Sequence, residues 1–296
     1  MSLAFRTSDA HSARSLLDHF SLEMTGKDVA GLRKAADAGA IPSGTPINLT
    51  YLATEDRETR FVAARAISEL GFMPVPHFAA RRLADEPELR AYLDGLRAAG
   101  AAERVFVVGG DSRRPEGPYP DALSIIESGL LQEYGVESVG ISGYPEGHPD
   151  IADDVLWGAL VDKTRALAGR GLETTVITQF AFDSGSVLSW VAAARERGVS
   201  APIRIGVPGP TSVKRLLGYA KRFGVGTGAE VVRKYGFSLT NLLGSAGPEK
   251  FLQALAEDYD PPRHGELQLH FYAFGGLEET ADWVTAFGAQ NEEGGR

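Results

Sequence analysis

The chain has no cysteine in its 296 residues, which excludes disulfides, thiol catalysis and cysteine-ligated zinc. It has no run of about 18 uncharged apolar residues, so the sequence predicts no membrane-spanning helix. The first twenty residues lack the apolar segment of a secretory signal, and together these absences set the expectation of a cytoplasmic protein. A basic surplus is missing too. The net charge of −9 argues against generic nucleic-acid binding, though not against a local basic pocket for a phosphate-bearing cofactor. No Gly-x-Ser-x-Gly elbow supports a serine hydrolase. No His-Glu-x-x-His or other close ligand spacing supports a metal. The glycine-rich Gly224–Gly228 follows a helical pattern rather than a strand, so it reads as a helix stop and not as a dinucleotide fingerprint.

What is present is an alternation of strand and helix patterns, with 43% hydrophobic residues, ample for a large core. Candidate strands are Phe20–Met24, Ile47–Leu52, Met73–Phe78, Arg104–Gly110, Ser138–Tyr144, Thr174–Phe180, Ile203–Gly209 and Leu267–Phe274. Several are near-continuous apolar runs, as strands buried on both faces require. Helical stripes lie between them. Val213, Leu216, Leu217, Ala220 and Phe223 share one face, with Gly224 as the stop. Val187, Leu188, Trp190, Val191 and Ala194 share another, with Asp183 or Ser184 as cap and Gly198 as the stop. Eight strands, each followed by a helix, predict an α/β fold: a single (β/α)8 barrel over 1–296, with extra helices in Gly224–Gly265 before the last strand. An open doubly wound sheet is the alternative. Residues 1–18 read as an N-terminal extension and 289–296 as a disordered tail.

In such a barrel the site lies at the C-terminal ends of the strands. Glu23, Thr50, His77, Asp111, Tyr144, Gln179 and Tyr272 all fall at or just past strand ends, and that recurrence is the internal sign of a site. Glu23 lies between Leu22 and Met24, where burial would raise its pKa and suit it to proton transfer; the plain alternative is a charge at a strand edge. Val108, Gly109 and Gly110 lead to Asp111, and the glycines allow a ligand close to the backbone; the plain alternative is turn chemistry. His77 and His148, each taken alone, are more often structural histidines than ligand contacts.

The stretch Tyr144-Pro-Glu-Gly-His148-Pro resembles the signature of the methylenetetrahydrofolate reductase family. Phe20–Met24, Thr50-Tyr51, Pro76-His77, Gly110-Asp111, Ile177–Asp183 and His270-Phe-Tyr272 resemble its other motifs, in the family's order. The resemblance implies a (β/α)8 barrel that carries hydride from NADH or NADPH through FAD to 5,10-methylenetetrahydrofolate. It implies Glu23 as the acid that opens the folate ring, Asp111 near flavin and pterin, and Gln179 on the folate. Thr50, His77, Tyr119, Tyr144, His148 and Tyr272 would line the flavin, and Lys163 and Arg165 would meet phosphate. Thr25-Gly26 stands where the family commonly has Pro-Pro, and Gly109 where it commonly has Arg. A relative passing hydride directly from nicotinamide to folate, and a non-redox folate-binding partner of a methyltransferase, are the alternatives. Self-association stays open.

Overall fold

Eight parallel strands close on themselves: β1 (Ser21–Met24), β2 (Pro46–Leu49), β3 (Met73–Ala79), β4 (Arg104–Val108), β5 (Ser138–Gly143), β6 (Glu173–Thr178), β7 (Ile203–Pro208) and β10 (Leu267–Tyr272), which pairs with both β7 and β1. The structure is a computed structural model that describes residues 15–223 and 245–293. A short antiparallel pair, β8 (Thr211–Ser212) and β9 (Ser245–Ala246), lies outside the barrel.

Strand parity explains the layering. Leu22, Ile47, Leu49, Val105, Val107, Val139, Ile141, Ile203, Ile205, Leu269 and Phe271 belong to the core shared with the helices. The alternate residues share the other face, inside the barrel, and many are polar or small: Ser21, Glu23, Asn48, His77, Gly140, Gly206, His270 and Tyr272. Register sets their height. Ser21 pairs with His270 and His270 with Gly206, while Glu23 is level with Tyr272 and Asn48. Gly206 leaves room for this layer, because a Cβ there would sit 2.8 Å from the Tyr272 ring and 2.3 Å from Thr178 O.

The helices are α1 (Val29–Asp37), α2 (Arg57–Glu69), α3 (Glu86–Ala98), α4 (Ala122–Glu127), α5 (Leu130–Glu133), α6 (Asp153–Ala168), α7 (Ser184–Glu196), α8 (Val213–Phe223), α9 (Glu249–Asp258), α10 (Pro261–His264) and α11 (Leu277–Glu293). Asp56, Asp85, Asp121 and Asp183 cap α2, α3, α4 and α7 by accepting backbone N–H bonds, which fixes these helix starts after their strands. Val187, Leu188, Trp190, Val191 and Ala194 of α7 are buried, as their spacing predicts. So are Val213, Leu216 and Ala220 of α8.

The barrel reading holds, and α9 and α10 are extra helices before the last strand. Residues 224–244, with the helix stop expected at Gly224–Gly228, lie outside the described residues. Three expectations change. Strands β2, β4, β5, β6, β7 and β10 end one to three residues earlier than predicted. Leu16 and Leu17 of the N-terminal extension are buried in the core. The expected tail is helical through Glu293; Ala289–Glu293 contains no glycine or proline to stop α11.

Candidate active site

Glu23 is the centre of the site. Its side chain is 19% exposed, and Oε2 lies 3.8 Å from His270 Nε2. Burial pushes its carboxyl up to about 7, opposed by the nearby His77. His77 is buried; its Nε2–H donates to Asn48 Oδ1 (3.3 Å), and its ring packs on Phe106 at 4.6 Å. Burial pushes His77 down to about 4. His270, 1% exposed, is pushed down to about 3 by burial and by Arg204. Both imidazoles are therefore neutral near pH 7. The Glu23–His270 approach is then a polar contact rather than an ion pair, and at 3.8 Å it is too long for a hydrogen bond. Ser21 Oγ lies 2.8 Å from His270 Nδ1 and donates to Leu269 O at 3.4 Å. These contacts anchor the Nδ1 side of the ring and turn Nε2 toward Glu23. Tyr272 donates its hydroxyl to Thr178 O at 3.0 Å. Burial raises its pKa strongly, and Glu23 and Tyr144 add to this. The result is a carboxylic acid with no cation among the described residues to hold it ionised.

The other expected residues are distributed around this acid. Thr50 ties β2 to β1, its N–H and hydroxyl both donating to Met24 O (2.9 and 3.2 Å). Tyr144 and His148 meet edge to face at 5.4 Å in the proline-flanked turn after β5, and His148 Nδ1 accepts from Asp150 N (3.1 Å). Gln179, just past β6, uses Oε1 to accept from Phe180 N (3.1 Å), while its own N–H donates to Gly143 O. Val108 closes β4. Gly110, at φ +90°, then turns the chain outward, a conformation that disfavours other residues.

That turn places Asp111 on an exposed rim, where Arg82 Nη2 donates to Oδ1 at 2.9 Å and side-chain exposure is 66%. The loop continues back over the end of β3, with Glu116 N donating to Arg81 O and Arg81 Nε donating to Pro120 O. It buries Tyr119 in the main core, near Asp85, Glu86 and Arg90 around the start of α3. Tyr119 was expected to line a cofactor, and the structure places it among core residues.

The basic pair expected at phosphate is not brought to one place. Lys163 and Arg165 stand about 15–18 Å along α6 from its first residue. Arg165 lines a groove of about 850 Å³ with Glu173, Arg197 and Pro202, at the end of the barrel where β6 and β7 begin, opposite the mouth. Lys163 is buried on the inner face of α6 with Asp121 nearby, and burial brings its ammonium down to about 8. Sequence reasoning did not single out Asn48, Ser21 or His270. The period-2 parity that places Tyr272 inward also places His270 there, and that was the available signal.

A parallel eight-stranded barrel with a buried acid among inward polar residues is the architecture of (β/α)8-barrel enzymes, whose sites lie at the C-terminal mouth. The sequence profile of the methylenetetrahydrofolate reductase family matches residues 24–236. The chain belongs to this family, and so is an oxidoreductase acting on folate. The matched segment starts one residue after Glu23 and stops before β10, so it covers neither Glu23 nor His270. Among solved structures, dihydropteroate synthase from Thermus thermophilus is similar at TM-score 0.47 and 15% identity, over 91% of this chain and 92% of that one. Among the described residues no helix is long and apolar enough to cross a membrane.

Proposed function

We propose that the chain reduces 5,10-methylenetetrahydrofolate to 5-methyltetrahydrofolate, with hydride originating on NADH or NADPH and FAD as the resident cofactor. The observation that carries this reading is Glu23, a carboxyl poised at about 7 inside the barrel mouth. Its proton passes to N10 of the folate as the bond between the methylene carbon and N10 breaks. The methylene carbon is left as an iminium on N5 and then accepts the hydride. The neutral state of His77 and His270 serves this step, since a cation at either position would hold Glu23 ionised and remove the proton. Tyr272 and Asn48, level with Glu23, give the bound substrate polar partners. Asp111 on the rim is assigned to the pterin N–H groups, with Arg82 giving way, and Gln179 to the same ligand from β6.

The residues fit a flavin at its ring end. The turn from Tyr144 to Pro149 offers a stiff aromatic wall, and a side chain started at Gly109 would meet nothing within 4 Å, so bare backbone faces open space there. Bound flavin would accept a hydride from the nicotinamide and release it to a carbon electrophile. At the diphosphate end, Lys163 and Arg165 are displaced as described. The exposed Arg113 and Arg114, on the loop after Gly109, are the cations assigned there. This displacement favours a second reading, direct hydride transfer from nicotinamide to folate. The visible spectrum of the purified protein separates the two. A flavin band that bleaches with NADH or NADPH supports the first. A colourless protein with full folate-dependent turnover supports the second and removes the first. No folate-dependent oxidation of either nicotinamide removes both.

Two expected results follow for the flavin. His148→Ala should weaken FAD roughly tenfold with little change in thermal midpoint, because the imidazole accepts just one local N–H bond; unchanged affinity in isothermal titration removes His148 from the flavin wall. Gly109→Arg should tighten FAD by about 1–2 kcal/mol if its guanidinium reaches a phosphate. The open space above Gly109 accommodates the side chain, so unchanged affinity would mean that no phosphate lies within reach.

A further inference from the structure

We infer that Glu55 is a positioning residue for Glu23, acting through the backbone N–H of Gly26; the inference rests on the reading of Glu23 as the acid. Beyond β1 the chain makes a tight turn, Thr25 to Asp28, closed by Asp28 N–H donating to Thr25 O at 3.1 Å. Each peptide group after Glu23 is held in turn. Met24 O accepts two bonds from Thr50. Thr25 N–H and its hydroxyl donate to Asp28 Oδ2 (3.0 and 2.7 Å). Gly26 N–H donates to Glu55 Oε2 at 3.2 Å.

Glu55 stands on a rigid support in the loop between β2 and α2. Its N–H donates to Leu52 O, and its own carbonyl accepts from Arg60 Nη1 at 2.8 Å. Arg60 is buried and lies 4.1 Å over the Tyr51 ring. The Glu55 residue is 6% exposed, and its Oε1 has no hydrogen-bond partner among the described residues. A buried carboxylate holding one backbone N–H, with its second oxygen bare, is costly to fold around. Stability therefore gives no reason for it. What it supplies is a fixed bridge from the second loop to the turn that carries Glu23.

Glycine at position 26 makes this approach possible, because a Cβ there would lie 3.0 Å from Glu55 Oε2 and 2.9 Å from Thr59 Cγ2. Position 26 is also the second residue of the turn, where proline is favoured. Proline would fix the turn by its ring but would lack the N–H and crowd Glu55. The two solutions, a proline or the Gly26–Glu55 bond, exclude each other. Glu23 depends on whichever is present. The groups that face it are His77 from β3 and His270 and Tyr272 from β10, and no hydrogen bond from them holds the carboxyl.

The test uses full-length Glu55→Ala, Glu55→Gln, Gly26→Pro and the double variant Gly26→Pro/Glu55→Ala. The Glu23 carboxyl is followed by infrared difference titration, its band assigned by loss in Glu23→Gln. Single-turnover folate reduction is measured beside oxidation of the nicotinamide by an artificial acceptor. Glu55→Ala should slow the folate step about 10- to 100-fold and move the Glu23 titration down toward the ordinary carboxylate range, as the side chain gains water. Glu55→Gln retains an acceptor and should stay near wild type. Gly26→Pro alone should be impaired. The double variant should recover in part, because the ring replaces the bond and the Glu55 clash is gone, leaving the Thr59 methyl alone to shift. An unmoved Glu23 titration in Glu55→Ala overturns the inference, as does a double variant no better than the worse single one. If Glu55→Ala does not fold, Glu55→Gln and the double variant decide it. If the wild-type protein has no folate activity, the functional reading fails, while the infrared titration still answers whether Glu55 positions Glu23.

Discussion

Glu23→Gln is expected to abolish most folate reduction, by roughly 10²–10⁴-fold, while the protein still takes hydride from the nicotinamide at near wild-type rate. Opening the imidazolidine ring places negative charge on N10, and a proton delivered there lowers the barrier. Glutamine fills the same volume and keeps an acceptor, but has no acidic proton. The environment of Glu23 is what makes the substitution decisive. A carboxyl at the usual 4.5 would be almost wholly ionised at pH 7, whereas burial holds this one at about 7, so about half of it is the acid. The folate step in the wild type should therefore slow as pH rises above 7, and that limb should vanish in Glu23→Gln. Stopped-flow measurement of the two half-reactions checks both statements. If both halves fall equally, Glu23 serves binding or folding and the acid lies elsewhere.

Much of this fold was legible because its cause is local. The runs around Val105–Val107, Val139–Ile141 and Ile203–Val207 could be buried on both faces only in a parallel sheet, and the stripe from Val187 to Ala194 had one periodicity. Glu23 was legible for a related reason, since its neighbours Leu22 and Met24 take the face packed on the helices and leave Glu23 the inward one. What was not legible was set by tertiary path. Asp111 follows a strand, as predicted, but Gly110 turns the chain outward, and Arg82, distant in sequence, takes the carboxylate. Tyr119 looked like a ring available to a ligand, until the loop folded back over the end of β3 and buried it. Lys163 and Arg165 were named by the resemblance alone. The sequence does not say how far α6 carries them from the mouth, because its starting residue is set by packing. The Gly26–Glu55 bond joins two loops 29 residues apart and has no local signature. Thr25-Gly26 could be seen as a departure from Pro-Pro, but not its partner.

The inward histidines give the second large effect, on stability against acid. His77 and His270 are held neutral by burial, at about 4 and about 3, against 6.5 when exposed. As pH falls below 6.5 the unfolded chain takes up two protons that the folded one refuses, so their contribution is present above 6.5 and is lost as pH falls toward those folded values. Glu23 acts in the opposite sense. Its folded value of about 7 exceeds the ordinary 4.5, so its contribution is full below 4.5 and is lost as pH rises through 7. Between pH 4.5 and 6.5 the unfolded chain therefore binds about one more proton than the folded one from these three groups, a slope of about 1.4 kcal/mol per pH unit. His270→Asn, which keeps a polar partner for Ser21, should remove one histidine proton and flatten the profile by that same slope. Glu23→Gln should remove the opposing proton and steepen it by as much. Urea midpoints measured across that window compare the three proteins directly, and surface carboxylates common to all of them cancel in the differences. Parallel profiles for all three would mean that these residues titrate alike in the folded and unfolded chain, and the neutral histidine pair that leaves Glu23 its proton would go with them.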